Sequence, residues 1–203
     1  MKRRAFIISM AVVGVAGCSK LRKSPSVPVV REGFIVKPAP VAQNNMTSFL
    51  PEGDTIYLSG SINEDTATGF AAVREANPKA TRLVLLEADG PAGSAGAMAF
   101  GRAVREAGFS THLRNDSVIS GAAVDAFVGG TQRTMEEGAV IAVSRSEDAD
   151  AHKAFATDMT GGEGYARFAQ QFGRRKRPRP MTIAEIGAMG IVSANVGNVL
   201  ATN

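Results

Sequence analysis

The chain has 203 residues, and its 44% hydrophobic and 21% charged content is that of a folded globular protein, which excludes a disordered chain. A single cysteine excludes a framework of disulfides, so core packing has to supply the stability. Two histidines without clustered ligand spacing predict no metal site, and nothing in the composition indicates a cofactor.

The net charge of +4 overstates how basic the protein is. Three cations lie in the first four residues, and the chain after residue 17 carries 20 cations against 19 anions, a net charge of +1. Five of those cations fall in the run GRRKRPRP at residues 173–180. A nucleic-acid-binding protein spreads cations over a face, so nucleic acid is excluded as a partner. The run is either a solvated loop or a contact for phospholipid or another anionic partner.

The first 17 residues predict a lipoprotein export signal. A positively charged start (Lys2, Arg3, Arg4) and an apolar segment too short to span a membrane precede the sequence VAGC, which ends at Cys18. An aliphatic residue, two small residues and a cysteine form the lipobox of bacterial lipoproteins, whose cysteine thiol receives diacylglycerol. We expect cleavage before Cys18 and an acyl (palmitate-type) anchor in the cell envelope. Ser19, in place of Asp, favours the outer membrane facing the periplasm. The alternative is an ordinary secretory signal that leaves a free thiol.

Residues 18–53 predict a proline-rich tether between the lipid and the domain. This composition disfavours helix and favours extended polyproline II structure, with one short strand at residues 33–36. The prolines that dominate the segment are Pro25, Pro28, Pro38 and Pro40. The folded domain is expected at residues 54–203.

Strands and helices alternate in chain order from residue 54. Strands are expected at residues 55–60, 82–86, 110–113 and 139–143. Helices are expected from a cap at Asp65 or Thr66 to residue 76, and at residues 97–107, 121–127, 150–172 (broken at Gly161 and Gly162) and 183–189. Such alternation predicts an α/β fold of βαβ units, with a mostly parallel sheet and flanking helices.

The ordered landmarks resemble the Clp protease/crotonase superfamily, and within it the exported bacterial proteins similar to the Clp protease proteolytic subunit. The similar pieces are residues 56–62, 83–90, 101–108, 117–130, 139–144 and 181–193. In the family they are the opening strand, the strand into the oxyanion loop, the helix behind that loop, the nucleophile turn with its helix, the strand to the catalytic histidine, and the closing segment. The resemblance covers residues 55–193 and implies a ClpP/crotonase-like spiral of βαβ units. It leaves open a homo-oligomer.

The resemblance carries the family's catalytic roles onto residues that do not fit them. The family's serine falls at Gly121 in DSVISGAAVDAFVGG (residues 116–130), and Ser120 lies one residue earlier. A shift of one residue near a helix start turns a side chain by ~100°. The family's histidine falls at Ser144, and its acid falls near Pro178. These are degenerate family positions, and they imply loss of serine-peptidase activity.

The oxyanion loop also departs from the family's pattern. The family carries two consecutive glycines after a proline, whereas this chain has Gly90, Pro91, an alanine and Gly93. Pro91 has no N–H to donate to an oxyanion. The loop, like the catalytic positions, therefore implies loss of serine-peptidase activity.

Two functions of different class follow. The first is a lipid-anchored pseudoenzyme that binds a peptide or protein, or acts in assembly, in a groove lined by residues 90–93, Ser120, Gly121 and Ser144. The second is a non-standard serine hydrolase or peptidase that uses Ser120 or Ser144 with a base such as His152. A third hypothesis is a crotonase-like acyl-CoA enzyme. It is disfavoured because CoA is not expected outside the cytoplasm.

The remaining polar candidates have structural interpretations that involve no catalysis. His112 is expected on a strand, and His152 at a solvated helix start among acidic residues. Asp125 is either a polar wall of the pocket or an exposed helical charge.

Overall fold

The computed structural model describes residues 46–172 and 178–193. The predicted signal, Cys18, the strand at residues 33–36 and residues 173–177 of the basic run lie outside this part of the chain. The strands are β1 (Thr47–Glu52), β2 (Thr55–Ser61), β3 (Arg82–Asp89), β4 (Ser110–Ser120), β5 (Arg133–Met135), β6 (Val140–Val143) and β7 (Arg179–Pro180). The helices are α1 (Thr66–Ala76), α2 (Ala95–Glu106), α3 (Ala122–Val128), α4 (Ala149–Thr160), α5 (Gly164–Phe172) and α6 (Ile183–Ala188).

The strands form one sheet in the order β1-β2-β3-β4-β6-β7, with β5 paired to β4. Strands β2, β3, β4 and β6 are parallel to one another, and β5 is parallel to β4. The two outer strands, β1 and β7, pair antiparallel with β2 and β6. The predicted α/β fold with a mostly parallel sheet and flanking helices is therefore confirmed.

Strand β1 lies inside the segment that was predicted to be tether. All six of its residues pair with β2, so the sheet begins before the expected boundary at residue 54. Pro51 and a lack of strict alternation hid this strand in the sequence. A proline is tolerated here because β1 is the edge of the described sheet, where one side of the strand needs no N–H donors.

Strand β4 is longer than the predicted residues 110–113 because it bulges in the middle. Its pairing with β3 jumps from Leu113 to Val118 while β3 advances only from Leu85 to Glu87. Ser117 holds the bulge, since its Oγ donates to the Leu85 carbonyl oxygen at 2.6 Å and accepts from the Arg114 N–H at 2.9 Å. The strand then continues to Ser120 and delivers the chain to the start of α3.

Close helix packing fixes α3 against α2. A Cβ built at Gly129 would collide with the carbonyl oxygen of Gly101, and one built at Gly101 would lie 2.6 Å from the Phe155 ring. Every residue of α3 is buried. This helix is thus a rigid part of the core, and it sets the position of the turn that precedes it.

Candidate functional site

The turn between β4 and α3 brings three of the sequence-predicted positions to one point. Gly121 has φ 56° and ψ −120°, a backbone conformation that side chains disfavour. A Cβ built there would collide with the carbonyl oxygen of Gly90 and would lie 2.9 Å from Oγ of Ser144. Gly90, Gly121 and Ser144 are therefore neighbours, and the space between them admits only glycine at position 121.

The carbonyl oxygen of Gly90 accepts the hydrogen bond of the backbone N–H that an oxyanion would need. In serine hydrolases that have a strand-to-helix nucleophile turn, the N–H of the residue after the nucleophile is one of the oxyanion donors. Here that N–H belongs to Ala122, and it donates to the Gly90 carbonyl oxygen at 3.0 Å. The turn thus presents no nucleophilic side chain at Gly121 and no free donor at Ala122.

The rest of the loop is also held by internal bonds. Gly93 N–H donates to Oδ2 of Asp125 at 2.7 Å, and the Ala92 carbonyl accepts from the Glu147 N–H at 2.8 Å. Pro91 is exposed. The loop is consequently tied to α3 on one side and to the segment after β6 on the other.

Ser120, Ser144 and Pro178 all lie near this turn, at the ends of strands. Ser120 is the last residue of β4, paired with Ala142, so it belongs to the strand and not to the helix. Ser144 directly follows β6 and is half-buried. Pro178 is exposed, and the antiparallel register that pairs Val143 with Arg179 places it beside Ser144. The positions given to the family's histidine and acid are thus adjacent.

The two histidines form their hydrogen bonds with residues other than Ser120 and Ser144. His112 lies on β4, as expected, with Nδ1 2.8 Å from Oγ1 of Thr134 and Nε2 3.3 Å from Oε1 of Glu136. The expectation that His152 is solvated is wrong, because its side chain is buried and hydrogen-bonds to Asp125. In the described part of the chain, no hydrogen bond joins either histidine to Ser120 or Ser144.

Helical phase explains the burial of His152. The buried residues of α4 are His152, Phe155, Ala156 and Met159, the spacing of a single helical face. The acidic residues before the helix and Lys153 within it suggested a solvated start. The i, i+3, i+4, i+7 pattern was the signal that would have placed His152 in the core.

Asp125 is the centre of a buried polar network that sequence reasoning left unresolved. Its Oδ1 accepts from Nε2 of His152 at 2.7 Å and from the Tyr165 hydroxyl at 2.9 Å, while Oδ2 accepts from Gly93 N–H. Asp125 and His152 are 0% exposed. Burial, reinforced by the Asp125 charge, raises the pKa of Tyr165 well above its usual 10.0. The exposed-charge reading of Asp125 is therefore wrong.

Tyr165 was not singled out in the sequence, although its helix shows a strong apolar face. One nitrogen of the network is left without a partner: Nδ1 of His152 is buried and has no hydrogen bond within the described residues. Buried polar atoms are nearly always paired, so this nitrogen needs an explanation.

No group of three or more His, Cys, Asp or Glu side chains that could hold a metal ion occurs in residues 46–172 and 178–193. Over the same residues, no helix combines the length and apolar character needed to cross a bilayer.

The comparisons with known proteins concern the fold. The sequence matches no protein-family model and no curated protein. Among solved structures, it is similar to a mutant of ClpP1 from Listeria monocytogenes, with 9% identity and a TM-score of 0.51 over 69% of this chain and 89% of that chain. It is also similar to an enoyl-CoA hydratase/isomerase family member, with 13% identity and a TM-score of 0.52 over 72% of this chain and 68% of that chain. At identities this low, the similarity shows the fold alone. The chain has a ClpP/crotonase-like fold.

Proposed function

We propose that this protein is a lipid-anchored, periplasm-facing ClpP/crotonase-like domain that performs no serine-peptidase chemistry at the family's active-site position and binds a peptide or protein partner there. The observation that carries the proposal is the turn at Gly121. The Gly90 carbonyl fills the space that a side chain at Gly121 would need and accepts the hydrogen bond of Ala122 N–H.

The chemistry of acyl transfer explains why this turn is incompatible with a serine peptidase. A serine peptidase needs a nucleophile, a base within hydrogen-bond reach, and N–H donors aimed at the developing oxyanion. An oxyanion at this turn would meet the negative end of the Gly90 carbonyl instead of a donor. The nearby Ser144 offers a hydroxyl where the family has an imidazole. All three requirements are thus unmet at one place.

The position of the site supports a binding role. The loop after β3, Ser120 at the end of β4 and Ser144 after β6 lie at the carboxyl ends of adjacent parallel strands. Ligands of α/β proteins bind at this edge of the sheet. An extended peptide that adds along such a groove gains main-chain hydrogen bonds without any catalytic group.

Anchoring at the cell envelope is supported by the lipobox ending at Cys18. A lipid on Cys18 and a proline-rich connection would hold the domain near a membrane while leaving the groove accessible. A partner in the same envelope compartment is the consequence we draw.

Labelling with a fluorophosphonate serine probe tests the catalytic half of this proposal. The full chain is compared with its Ser120→Ala and Ser144→Ala variants in detergent. We expect both substitutions to leave labelling unchanged, because neither serine has a base. Labelling that disappears in either variant would support the serine hydrolase alternative and contradict the proposal.

Selection from a library of extended peptides tests the binding half. Peptides retained by the full chain should lose affinity at least tenfold on Ser144→Tyr, which fills the groove. The control is Asp158→Tyr, on the exposed side of α4. Equal loss in both variants, or none in a folded Ser144→Tyr protein, would contradict binding at this groove.

A further inference from the structure

Ser146 and His152 lie against the same small space at Gly93, apart from the turn at Gly121. A Cβ built at Gly93 would collide with Oγ of Ser146 and would lie 3.1 Å from Cγ of His152. Glycine at position 93 therefore lets a serine hydroxyl and an imidazole approach each other. Neither the family's serine nor its histidine falls at these two positions.

Asp125 orients the imidazole for use as a base. The carboxylate accepts from Nε2 at 2.7 Å, which fixes the proton on that nitrogen and leaves Nδ1 of a neutral ring unprotonated. Nδ1 is the buried atom that has no partner within the described chain. Buried polar atoms are nearly always paired, so this nitrogen is available as an acceptor for a neighbouring hydroxyl.

Ser146 connects this pair to solvent. It is only 7% exposed, yet it lines an open cleft of about 570 Å³ together with Arg145, Glu147, Ala149 and Gln170. Its Oγ donates to the Asp148 carbonyl oxygen at 2.9 Å. Release of this bond frees the hydroxyl to donate to another acceptor.

We propose that Ser146, His152 and Asp125 form a nucleophile, base and orienting acid that act on small polar acyl esters. Ser146 Oγ attacks the acyl carbon, and its proton passes to Nδ1 of His152. The bond from the acyl carbon to the alcohol oxygen then breaks, and the alcohol leaves with that proton. Water hydrolyses the acyl-serine by the same route and releases a carboxylic acid. The charged and amide side chains of Arg145, Glu147 and Gln170 at the cleft favour a polar acyl group over a long alkyl chain.

This inference is independent of the proposed function, which concerns the turn at Gly121. A reactive Ser146 leaves the argument about Gly121 and Ala122 intact. The two are separated by the position at which a probe reacts.

The test is fluorophosphonate labelling of the full chain, with the modified residue mapped by mass spectrometry. In the labelling step Ser146 Oγ bonds to phosphorus, fluoride leaves, and the proton passes to His152. We expect the adduct on Ser146, its loss in Ser146→Ala, and a labelling rate at least ~100-fold lower in His152→Gln. The control Ser110→Ala, at the start of β4, should label at the native rate.

Three outcomes overturn the inference: no adduct on the folded native chain, an adduct that persists in Ser146→Ala, or a His152→Gln protein that labels at the native rate. Because His152 is buried, circular dichroism must show that His152→Gln folds. Should it not fold, a burst of p-nitrophenol from p-nitrophenyl acetate that Ser146→Ala abolishes and Ser110→Ala retains supports the inference. No burst, or a burst that persists in Ser146→Ala, refutes it. An adduct on Ser120 or Ser144 contradicts the proposed function as well.

Discussion

Gly121 carries two separate constraints, and each has a distinct cost. Its φ of 56° strains any side-chain-bearing residue, and its Cβ position is filled by the Gly90 carbonyl. Strain in such regions costs about 1–3 kcal/mol. The filled Cβ position adds a collision with backbone, which a flexible side chain cannot relieve.

We expect Gly121→Ser, which installs the family's residue, to destabilise the fold by roughly 3 kcal/mol or more without producing a fluorophosphonate-reactive serine at 121. The matched control is Gly161→Ser, at a glycine with φ 77° and no atom within 4 Å of a Cβ, which tests strain alone. Urea unfolding measures both variants. Equal destabilisation, or a reactive Ser at position 121, would contradict this account of the turn.

The Tyr165 hydroxyl gives a pH dependence whose sign follows from its environment. Burial and the Asp125 carboxylate raise its pKa well above 10.0 in the folded protein. Above pH 10.0 the unfolded chain releases this proton and the folded chain keeps it, so stability is complete below that pH and falls as pH rises. The slope for one proton is about 1.4 kcal/mol per pH unit.

Tyr165→Phe should therefore flatten the loss of stability above pH 10.0, and should cost about 1 kcal/mol at neutral pH because a donor to buried Asp125 disappears. Thermal unfolding across pH 8 to 11 is the measurement, because this range begins about two units below the usual tyrosine pKa and ends about one unit above it. The control is Tyr57→Phe, the other tyrosine of the chain, which should keep the native slope. An unchanged slope in Tyr165→Phe would be evidence against a buried neutral phenol.

At the scale of elements, the closing helix α6 is held by a capping box. Thr182 Oγ1 accepts from the Glu185 N–H at 3.3 Å, and the Glu185 carboxylate accepts from the Thr182 N–H at 2.8 Å. The pKa of Glu185 is lowered to about 2, mainly by the hydrogen bond from the Arg179 guanidinium and then by the hydrogen bond from the Thr182 N–H. Glu185 therefore contributes stability that is present above pH 4.5 and is lost as pH falls through about 2.

Thr182→Ala should lower the free energy of unfolding by about 1 kcal/mol, because the first turn of α6 loses a side-chain acceptor. Thr182→Ser keeps that acceptor and should stay near the native value. Differential scanning calorimetry compares the melting temperatures. If both variants melt at the same temperature, the capping box contributes nothing measurable to α6.

At the scale of the whole molecule, we expect the predicted lipid on Cys18 to decide where the domain works. We expect Cys18→Ser to lose palmitate incorporation and to move the protein from the membrane to the soluble fraction, because the Cys18 sulfur is the atom that takes the diacylglyceryl group. Ser19→Asp should keep the lipid while moving the protein from the outer to the inner membrane. Cell fractionation on a density gradient measures both. Membrane attachment that survives Cys18→Ser would contradict the lipoprotein prediction.

Most elements could be predicted from the sequence because their signals are local. Helix α1 and the broken pair α4 and α5 follow from apolar periodicity and from Asn77-Pro78 and Gly161-Gly162. Strand β3 follows from a continuous apolar run. The missed strands β5 and β7 have only three and two residues, and they pair with segments far along the chain. The six-residue β1 pairs with β2 through a tight hairpin, and it was missed because Pro51 and a lack of strict alternation hide its strand pattern.

For the candidate site, too, some features could be predicted from the sequence and others depend on the tertiary structure. The residue types were readable from the chain: glycine at position 121, proline at 91, and a lone cysteine in a lipobox. Sequence order also indicated a ClpP/crotonase-like fold through ordered landmarks. The tertiary structure decided which groups meet. The Gly90 carbonyl reaches Ala122 N–H, and Asp125 on α3 meets His152 on α4 and Tyr165 on α5, because the packing of helices against the sheet joins residues far apart in sequence.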